Sequence, residues 1–300
     1  MDRKFIYFIN PISGTGGKLL LPEIIKNKTA EQNIPFEILH TNAAGDYAWL
    51  KEKITTEKIT DIIVCGGDGT VNQIAGVLLG TKINIGIIPM GSGNGLAYAA
   101  KIPKRIHKAL EVVFAGHTTV IDSIYINGKF SCMLCGLGFD AKVAHDFAKQ
   151  PKRGLGTYVK QSIKNFFSAK PYSFKLILDG KSINTEAFFI SIANSNQFGN
   201  NFTIAPQASL YDGLLDIVVV NKMSKMRLIW SVLKQISNGQ VRLYEDKKYH
   251  RNDIHYFQTK KISIKNPQLA PLHIDGDPVE TAAAFDIEII EKAFKLLMPL

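Results

Sequence analysis

The stretch from Asp61 to Ala97 constrains the fold of this chain most, because it predicts two buried strands that each end in a glycine-rich turn. The first strand is Asp61–Cys65, and the turn that follows it is Gly66–Gly69. The second strand is Ile83–Pro89, and it leads into a turn at Gly91–Gly95. In open α/β sheets, ligands bind at the carboxyl ends of the strands, where both turns are predicted to lie.

Both turns have a composition that suits phosphate binding. Glycines let the backbone come close to a ligand, and the helix predicted from Thr70 offers unpaired N–H groups to phosphate oxygens. Polar side chains are interspersed with the glycines, namely Asp68, Thr70, Asn72, Ser92 and Asn94. The alternative is that the glycines only form tight connections, but two such turns in one βαβ unit favour a single phosphate site.

At these residues the chain resembles the diacylglycerol kinase catalytic-domain superfamily, which includes bacterial soluble lipid kinases, sphingosine kinases and ceramide kinases. The segments GGDGTVN (Gly66–Asn72) and PMGSGN (Pro89–Asn94) look like its two nucleotide-binding signatures. The first signature is shared with the more distant NAD kinases. Many bacterial members have GTxND in the second, whereas Ser92-Gly-Asn94-Gly95 is closer to the sphingosine kinase form.

A third loop, NPISGTGGK, follows the predicted first strand Lys4–Ile9. It is not a Walker A loop, which would need glycine at Ile12 and Ser or Thr at Leu19. It is similar to the NPxSG opening of the lipid kinases, and Lys18 is a candidate for steering phosphate. Carried over by the resemblance, the residues that bind ATP are Asn10, Pro11, Ser13, Gly14, Thr41, Gly66, Gly67, Asp68, Gly69, Thr70, Asn72, Gly91 and Ser92.

Acidic residues supply the candidates for catalysis. The family's base is the glutamate of an Asp-Gly-Glu motif, and LHIDGDPVE carries Asp277 at that position; an acidic hairpin turn, or Glu280 as the base, is the alternative. The resemblance implies that Asp68 binds Mg²⁺ or orients a partner, although a local turn hydrogen bond would also explain it. It further places Asp122 in a polar network of a cleft between two domains.

A third acidic cluster, SLYDGLLD, matches the Asp-Gly-Leu turn that holds a structural Mg²⁺ in the bacterial lipid kinases. The implied ligands are the Asp212 side chain and the backbone carbonyls of Ser209 and Leu214. Carboxylate and carbonyl oxygens suit a hard cation. An ordinary Asp-Gly turn before strand Leu214–Val220 is the alternative.

The pattern along the chain predicts an α/β plus β fold. Strands and helices alternate in the first 90 residues, which favours a doubly wound, mainly parallel nucleotide-binding domain over 1–121. Short β-type runs separated by turns such as Asn127-Gly128 and Asp179-Gly180 then indicate an antiparallel, β-sandwich-like lipid-binding domain over 122–292. By resemblance, residues 293–300 return to the first domain as a strand. One β-type run, Phe130–Leu137, contains Cys132 and Cys135, which we expect to be buried thiols.

The formal net charge of +10 favours anionic partners. No nucleic-acid-binding motif is evident, so a nucleotide and a lipid surface remain. No apolar run is long enough to cross a bilayer, and we expect a cytoplasmic protein that touches an anionic membrane transiently. Two basic amphipathic helices, Gly156–Lys170 and Lys225–Ser237, are candidates for that contact or for covering the β domain. A homodimer is left open.

These features predict an ATP-dependent, Mg²⁺-requiring lipid kinase of phospholipid biosynthesis. It would transfer the γ-phosphate in the cleft to a hydroxyl of diacylglycerol, a sphingoid base or a similar lipid alcohol. One alternative is a soluble nucleotide kinase of the NAD kinase type. Another is a non-catalytic nucleotide or lipid sensor, which the replacement of glutamate by Asp277 makes plausible.

Overall fold

The computed structural model describes residues 3–13, 20–42, 44–151, 155–197, 205–224 and 254–300. The chain divides into two compact units, Met1–Asp122 together with Glu291–Leu300, and Ser123–Ile290. In chain order the elements are β1 (Phe5–Ile9), α1 (Leu21–Ala30), β2 (Phe36–His40), α2 (Leu50–Glu57), β3 (Asp61–Gly66), α3 (Asp68–Val77), β4 (Asn84–Pro89), α4 (Gly95–Ala99), α5 (Ile106–Ala115), β5 (Thr118–Ile126), β6 (Lys129–Ser131), β7 (Leu134–Gly138), α6 (Phe139–Ala148), α7 (Leu155–Ser168), β8 (Tyr172–Leu178), β9 (Lys181–Ala193), β10 (Leu215–Asn221), β11 (Ile254–Thr259), β12 (Lys261–Lys265), β13 (Leu272–Ile274), β14 (Asp277–Val279) and β15 (Ala284–Leu297).

The first unit is built on a parallel sheet. Its strands lie in the order β2–β1–β3–β4, and Lys295 and Leu296 of β15 pair with the outer side of β4. Every residue of β1 and of β3 is buried. Near-continuous apolar runs such as FIYFI are typical of parallel strands that are covered on both faces.

The strand order of this sheet defines where a ligand binds. The chain passes from β1 to β2 on one side, and then crosses β1 to reach β3 on the other side. Such a reversal leaves a crevice at the carboxyl ends of the two central strands. Backbone hydrogen bonds hold these ends together: Asn10 N donates to Cys65 O at 3.0 Å, and Thr41 N donates to Ile9 O at 3.0 Å.

The second unit is antiparallel. Strand β9 pairs with β8 through its first half, and with β7 and β10 through its second half. One apolar core collects side chains from β5, β7, β8, β9, β10, β12, β13 and β15, among them Ile126, Leu137, Ile190, Ile217 and Ile264. The predicted α/β plus β fold class is therefore confirmed, with a mainly parallel N-terminal part and an antiparallel C-terminal part.

Both predicted hairpin turns are confirmed. Asn127 and Gly128 have positive φ angles of 48° and 76°, and Asp179 and Gly180 have φ angles of 48° and 74°. Ile126 pairs with Lys129, and Leu178 pairs with Lys181. Two consecutive residues with positive φ form the type I′ turn, whose twist matches that of the flanking strands.

Two local predictions were wrong, and two further elements were not predicted. The run Phe130–Leu137 is not one strand, because the chain bends at Cys132 and Met133 between β6 and β7. The sequence also predicts a helix over roughly Ala44–Glu57. Helix α2 starts at Leu50, because Asn42 and Asp46 hydrogen-bond to each other and Asp46 also accepts from Ala48 N. Helix α6 and strand β11 are not predicted by the sequence analysis at all. As expected, Cys132 and Cys135 are buried thiols.

Helix α7 is the first of the two predicted amphipathic helices, and the second, Lys225–Ser237, lies outside the described residues. At its described positions, exposure along α7 does not follow side-chain polarity. Ile163 is 57% exposed, whereas the polar Gln161 and Asn165 are 5% and 7% exposed. No helix in the described part of the chain is both long and apolar enough to cross a membrane.

Candidate active site

The two glycine-rich turns of the first unit touch each other. Met90 N donates to Gly66 O at 2.9 Å, which joins the ends of β3 and β4. A Cβ atom added to Gly91 would lie 2.5 Å from the Cα atom of Gly67. Gly67 itself has a φ of −101°, so this glycine is required by the close approach of the two backbones and not by its own conformation.

The Asp68 side chain joins the first turn to the second by hydrogen bonds. It is the first residue of α3, and its carboxylate accepts hydrogen bonds from Gly95 N at 3.0 Å and Leu96 N at 3.2 Å. These N–H groups belong to the first turn of α4, where a negative charge is favourable. Its role toward Mg²⁺ stays a prediction; the geometry adds a structural role, in which Asp68 binds a turn 27 residues further along the chain.

Asn94 determines the shape of the second turn. Its φ of 51° places it in the left-handed region, where Asn is better tolerated than most residues. Its side chain accepts from Gly91 N at 2.7 Å and donates to Gly91 O at 2.8 Å. The role of Asn94 was not predicted, although an asparagine within a glycine-rich turn is a signal for such a conformation.

The loop after β1 is tied to the same edge. Asn10 donates from Nδ2 to Thr70 Oγ1 at 2.8 Å, and its Oδ1 accepts from Ile12 N at 3.0 Å. Asn10, Thr70, Gly67 and Gly91 are therefore brought together at one edge of the sheet. The other predicted nucleotide-binding residues lie nearby in the chain. Gly66 ends β3, Thr41 directly follows β2, Gly69 and Asn72 lie in α3, Ser92 is exposed, and Pro11 and Ser13 follow Asn10. Gly14 and Lys18 lie outside the described residues.

Asp122 is 3% exposed, and its carboxylate has a backbone partner. Its Oδ1 accepts from Lys292 N at 2.7 Å, and Lys292 has a φ of 54°. This hydrogen bond stabilises β15 at Lys292, whose positive φ is unfavourable for a residue with a side chain. Participation of Asp122 in catalysis stays a prediction.

The predicted base lies on the β13–β14 hairpin of the second unit. Asp275 and Gly276 form its two-residue turn, with φ angles of 49° and 84°, and Asp277 pairs with Ile274. Asp277 is exposed, whereas Asp275 is 6% exposed. The Asp275 carboxylate accepts from Ser131 Oγ and from the backbone N–H groups of Cys132, Met133 and Leu134, at 2.8–3.0 Å.

The two carboxylates of this turn thus have different surroundings. Asp275 binds the bend between β6 and β7, which explains why the run Phe130–Leu137 is interrupted. Its four hydrogen bonds supply the partners that a buried carboxylate requires. Of the two, Asp277 is the carboxylate that solvent and a substrate can reach.

The predicted metal loop precedes β10. Leu214 N donates to Asp212 Oδ1 at 3.1 Å, as expected for the ordinary Asp-Gly turn. Asp216 is fully buried, and its Oδ1 accepts from Tyr256 and Gln258. Its Oδ2 has no hydrogen-bond partner among the described residues. Burial raises the pKa of Asp216 to about 6, although Tyr256 and Gln258 oppose that rise.

A buried carboxylate oxygen beside the loop, together with the Asp212 carboxylate and backbone carbonyls, is a donor set that fits a hard cation. No group of three or more His, Cys, Asp or Glu side chains that could hold a metal ion occurs among the residues that the structure describes. The assignment of Asp212, Ser209 and Leu214 as ligands therefore stays a prediction.

The first unit is a parallel α/β sheet with glycine-rich turns at its switch point, and an antiparallel β unit follows it. The model of the diacylglycerol kinase catalytic domain matches residues 4–126. The model of the YegS C-terminal NAD kinase beta sandwich-like domain matches residues 134–298. The chain therefore belongs to the diacylglycerol kinase catalytic-domain superfamily, a family of lipid kinases, and the resemblance seen in the sequence is confirmed.

Individual relatives agree with this assignment. A protein of Shewanella frigidimarina named "Probable lipid kinase YegS-like" is 29% identical over 82% of this chain and 80% of its own length. A Bacillus subtilis protein named "Diacylglycerol kinase" is 28% identical over 79% of this chain and 77% of its own length. A solved structure from Bacillus anthracis, described as a diacylglycerol kinase, has a TM-score of 0.74 at 22% identity and covers 99% of this chain and 97% of its own. The last of these supports the fold alone.

Proposed function

We propose that this protein is an ATP-dependent lipid kinase that transfers the γ-phosphate to the hydroxyl of diacylglycerol, a sphingoid base or a similar lipid alcohol. The observation that carries the proposal is the contact between Gly67 and Gly91 at the switch point of the parallel sheet. This contact leaves a side-chain-free backbone surface, flanked by Asn10 and Thr70, where phosphate oxygens can approach N–H groups. Membership of a lipid kinase family supports the acceptor class.

The proposed chemistry is an in-line phosphoryl transfer. The lipid hydroxyl oxygen bonds to the γ-phosphorus while the bond from that phosphorus to the β,γ-bridging oxygen breaks. ADP leaves with the electron pair of the broken bond, and the hydroxyl proton passes to the Asp277 carboxylate. Because an exposed carboxylate is a weak base toward an alcohol, we expect accurate positioning of Asp277 to supply much of its effect.

Mg²⁺ would supply charge neutralisation at the phosphates when it is bound. Asp68 is the proposed carboxylate toward that ion, and its position in the first turn of α3, beside Gly67, supports this role. A separate structural Mg²⁺ is proposed at Asp212 with the carbonyls of Ser209 and Leu214, and the unsatisfied Oδ2 of buried Asp216 supports a cation near this loop.

Contact with an anionic membrane is proposed at helix α7. Ile163 is exposed between Lys160 and Lys164, which are also exposed, and the formal net charge of the chain is +10. An apolar residue flanked by lysines can insert into the headgroup region while the lysines meet lipid phosphates.

The deciding experiment incubates the protein with γ-labelled ATP, Mg²⁺ and a lipid panel, beside a reaction that contains NAD. We expect the label to enter the organic extract with one class of lipid alcohol. Label in NADP would instead identify an NAD kinase, whose C-terminal fold the matched domain resembles. Binding of ATP without transfer to any acceptor would identify a non-catalytic sensor.

A further inference from the structure

A buried histidine lies directly behind the hairpin that carries Asp277. His273, on β13, is 2% exposed, and Gly276 N donates to its Nδ1 at 3.2 Å. On the other side of the ring, Nε2 lies 3.3 Å from Oδ2 of Asp140, which is 6% exposed. Three groups are therefore linked in a row: the Asp140 carboxylate, the His273 imidazole and the peptide N–H next to Asp277.

The partners of the imidazole determine its tautomer. A backbone N–H can only donate, so Nδ1 must carry the lone pair that accepts from Gly276. The proton of the neutral ring is then on Nε2, which points it at Asp140. In this state each ring nitrogen has a partner of the correct kind, and the orientation of the ring is determined at both ends.

The neighbouring elements are adapted to this pair. Asp140 lies in the first turn of α6, where the helix dipole favours a carboxylate, and its Oδ1 accepts from Ala141 N at 2.8 Å. Gly136 pairs with His273 across β7 and β13. A Cβ atom on Gly136 would collide with Asp140 Oδ2 and with His273 Nε2, so this glycine provides the space that the pair occupies.

A buried polar pair is not explained by stability alone, since apolar side chains of similar volume stabilise a core about as well. What the pair adds here is a defined position for a turn. Asp275 holds one side of that turn to the bend at Cys132 and Met133, and His273 holds Gly276 on the other side. The next residue is Asp277, whose side chain is exposed and whose backbone position is defined through these contacts.

We propose that Asp140 and His273 are positioning residues for Asp277. This inference rests on the proposed function, in which Asp277 accepts the proton of the lipid hydroxyl. Loss of the pair lets the turn move, and a displacement of about 1 Å at a catalytic group can reduce turnover by about 100-fold. The pair acts on the chemical step, so it changes kcat and leaves the affinity for ATP, which is assigned to the other unit, unchanged.

The test compares Asp140→Ala with Asp140→Asn and with a matched control, Asp146→Ala. Asp146 lies on the same helix, but its carboxylate binds Lys142 and not the hairpin. With saturating ATP and lipid, we expect Asp140→Ala to lower kcat by about 10-fold to 100-fold with an unchanged KM for ATP. Asp140→Asn keeps an acceptor for Nε2–H and is expected to retain most of the activity, as is Asp146→Ala. A loss of kcat in Asp140→Ala no larger than in Asp146→Ala would overturn the proposal.

A second readout does not depend on turnover. Hydrogen exchange of the amides at 275–277, 279 and 280 in the full chain is expected to be at least about 10-fold faster in Asp140→Ala and unchanged in Asp146→Ala. If the wild-type protein phosphorylates no lipid, the proposed function fails, and the exchange rates still decide whether the pair holds the turn. Unchanged exchange in Asp140→Ala would overturn the positioning role even in an active kinase.

Discussion

The backbone of Gly91 lies so close to Gly67 that a Cβ atom at position 91 would come within 2.5 Å of the Cα atom of residue 67. The two turns therefore form one surface at the carboxyl edge of the sheet. Met90 N, Asp68 and Asn94 add hydrogen bonds that hold this surface in place. A site of this kind depends on the geometry of the backbone more than on any single side chain.

Replacement of Gly91 by alanine is the most direct test of this contact. The added methyl group must push the two turns apart, so we expect a loss of stability of about 1–3 kcal/mol and a decrease in ATP affinity of at least about 10-fold. Titration calorimetry and thermal unfolding measure the two effects.

Gly80→Ala is the matched control: the φ of 73° at Gly80 is unfavourable for alanine, but no other atom lies within 4 Å of the added Cβ. It should lose about 1 kcal/mol of stability and bind ATP normally. Equal ATP affinity in both variants would argue against a nucleotide at these turns.

Asp68 is expected to have separable structural and ionic roles. Asp68→Ala removes both acceptors for Gly95 N and Leu96 N, and should destabilise the protein by about 1–2 kcal/mol, as other helix caps do. Asp68→Asn retains one acceptor and the size of the side chain, but not the charge. We expect it to keep most of the thermal stability and to need a higher Mg²⁺ concentration for half-maximal transfer. If Asp68→Asn has the Mg²⁺ dependence of the wild type, the residue acts as a cap only.

The role of Asp277 is tested by Asp277→Asn. This change retains the size and hydrogen-bonding capacity of the side chain but removes a base, so phosphate transfer should fall by about 100-fold or more. ATP binding should be unchanged. Glu280→Gln removes the other exposed carboxylate of this segment and serves as the control, with turnover close to that of the wild type. Wild-type turnover in Asp277→Asn, or a larger loss in Glu280→Gln, would exclude Asp277 as the base.

The metal loop is tested by Asp212→Asn. Asparagine can still accept from Leu214 N, so the turn should form, whereas affinity for a divalent cation should fall because a neutral amide is a weaker ligand. In the wild type, Mg²⁺ added without nucleotide is expected to raise the unfolding temperature, and Asp212→Asn should abolish most of that increase. An equal increase in the two proteins would place the cation elsewhere.

The buried thiols predict a pH dependence of stability. Burial raises the pKa of Cys65 and of Cys135 above the ordinary value of 9.0, so the folded state retains protons that the unfolded state loses. The free energy of unfolding should therefore be unaffected by these groups well below pH 9 and should decrease as the pH rises above it. Urea unfolding at pH 7.5 and pH 9.5 measures this change.

Thiol labelling supplies the control for that experiment. At pH 8 the native protein should react slowly with an alkylating reagent at all three cysteines, which are buried, and quickly after unfolding. Rapid native labelling of Cys65 would contradict its burial at the end of β3.

Much of the fold could be predicted because it follows from neighbours in the chain. The apolar run of β3 and the glycines that follow it indicate a covered parallel strand and a tight connection. The dipeptides Asn127-Gly128 and Asp179-Gly180 have the positive φ angles that their composition suggests. Helix α6 was not predicted because no polar capping residue marks its start. It begins directly after Gly138, the last residue of a buried strand.

The candidate site was predictable to a lesser extent. The glycine-rich turns and Asp277 could be named from motifs. The hydrogen-bond partners of Asp275 and His273, which lie beside Asp277, could not. Ser131 Oγ and the Asp275 carboxylate that it binds are 144 residues apart, and Asp140 and His273 are 133 residues apart. No periodicity or spacing in the sequence connects such residues.

By itself, then, the sequence determined the class of fold, the family and the turns that face the proposed nucleotide, because each depends on short-range patterns of glycine, charge and hydrophobicity. Only the tertiary structure decided that Asp275 is a buried anchor while Asp277 is exposed, and that His273 joins the hairpin to Asp140. The physical reason is that a buried carboxylate or imidazole is stable only where donors and acceptors from distant segments meet it, and that meeting exists only in the folded chain.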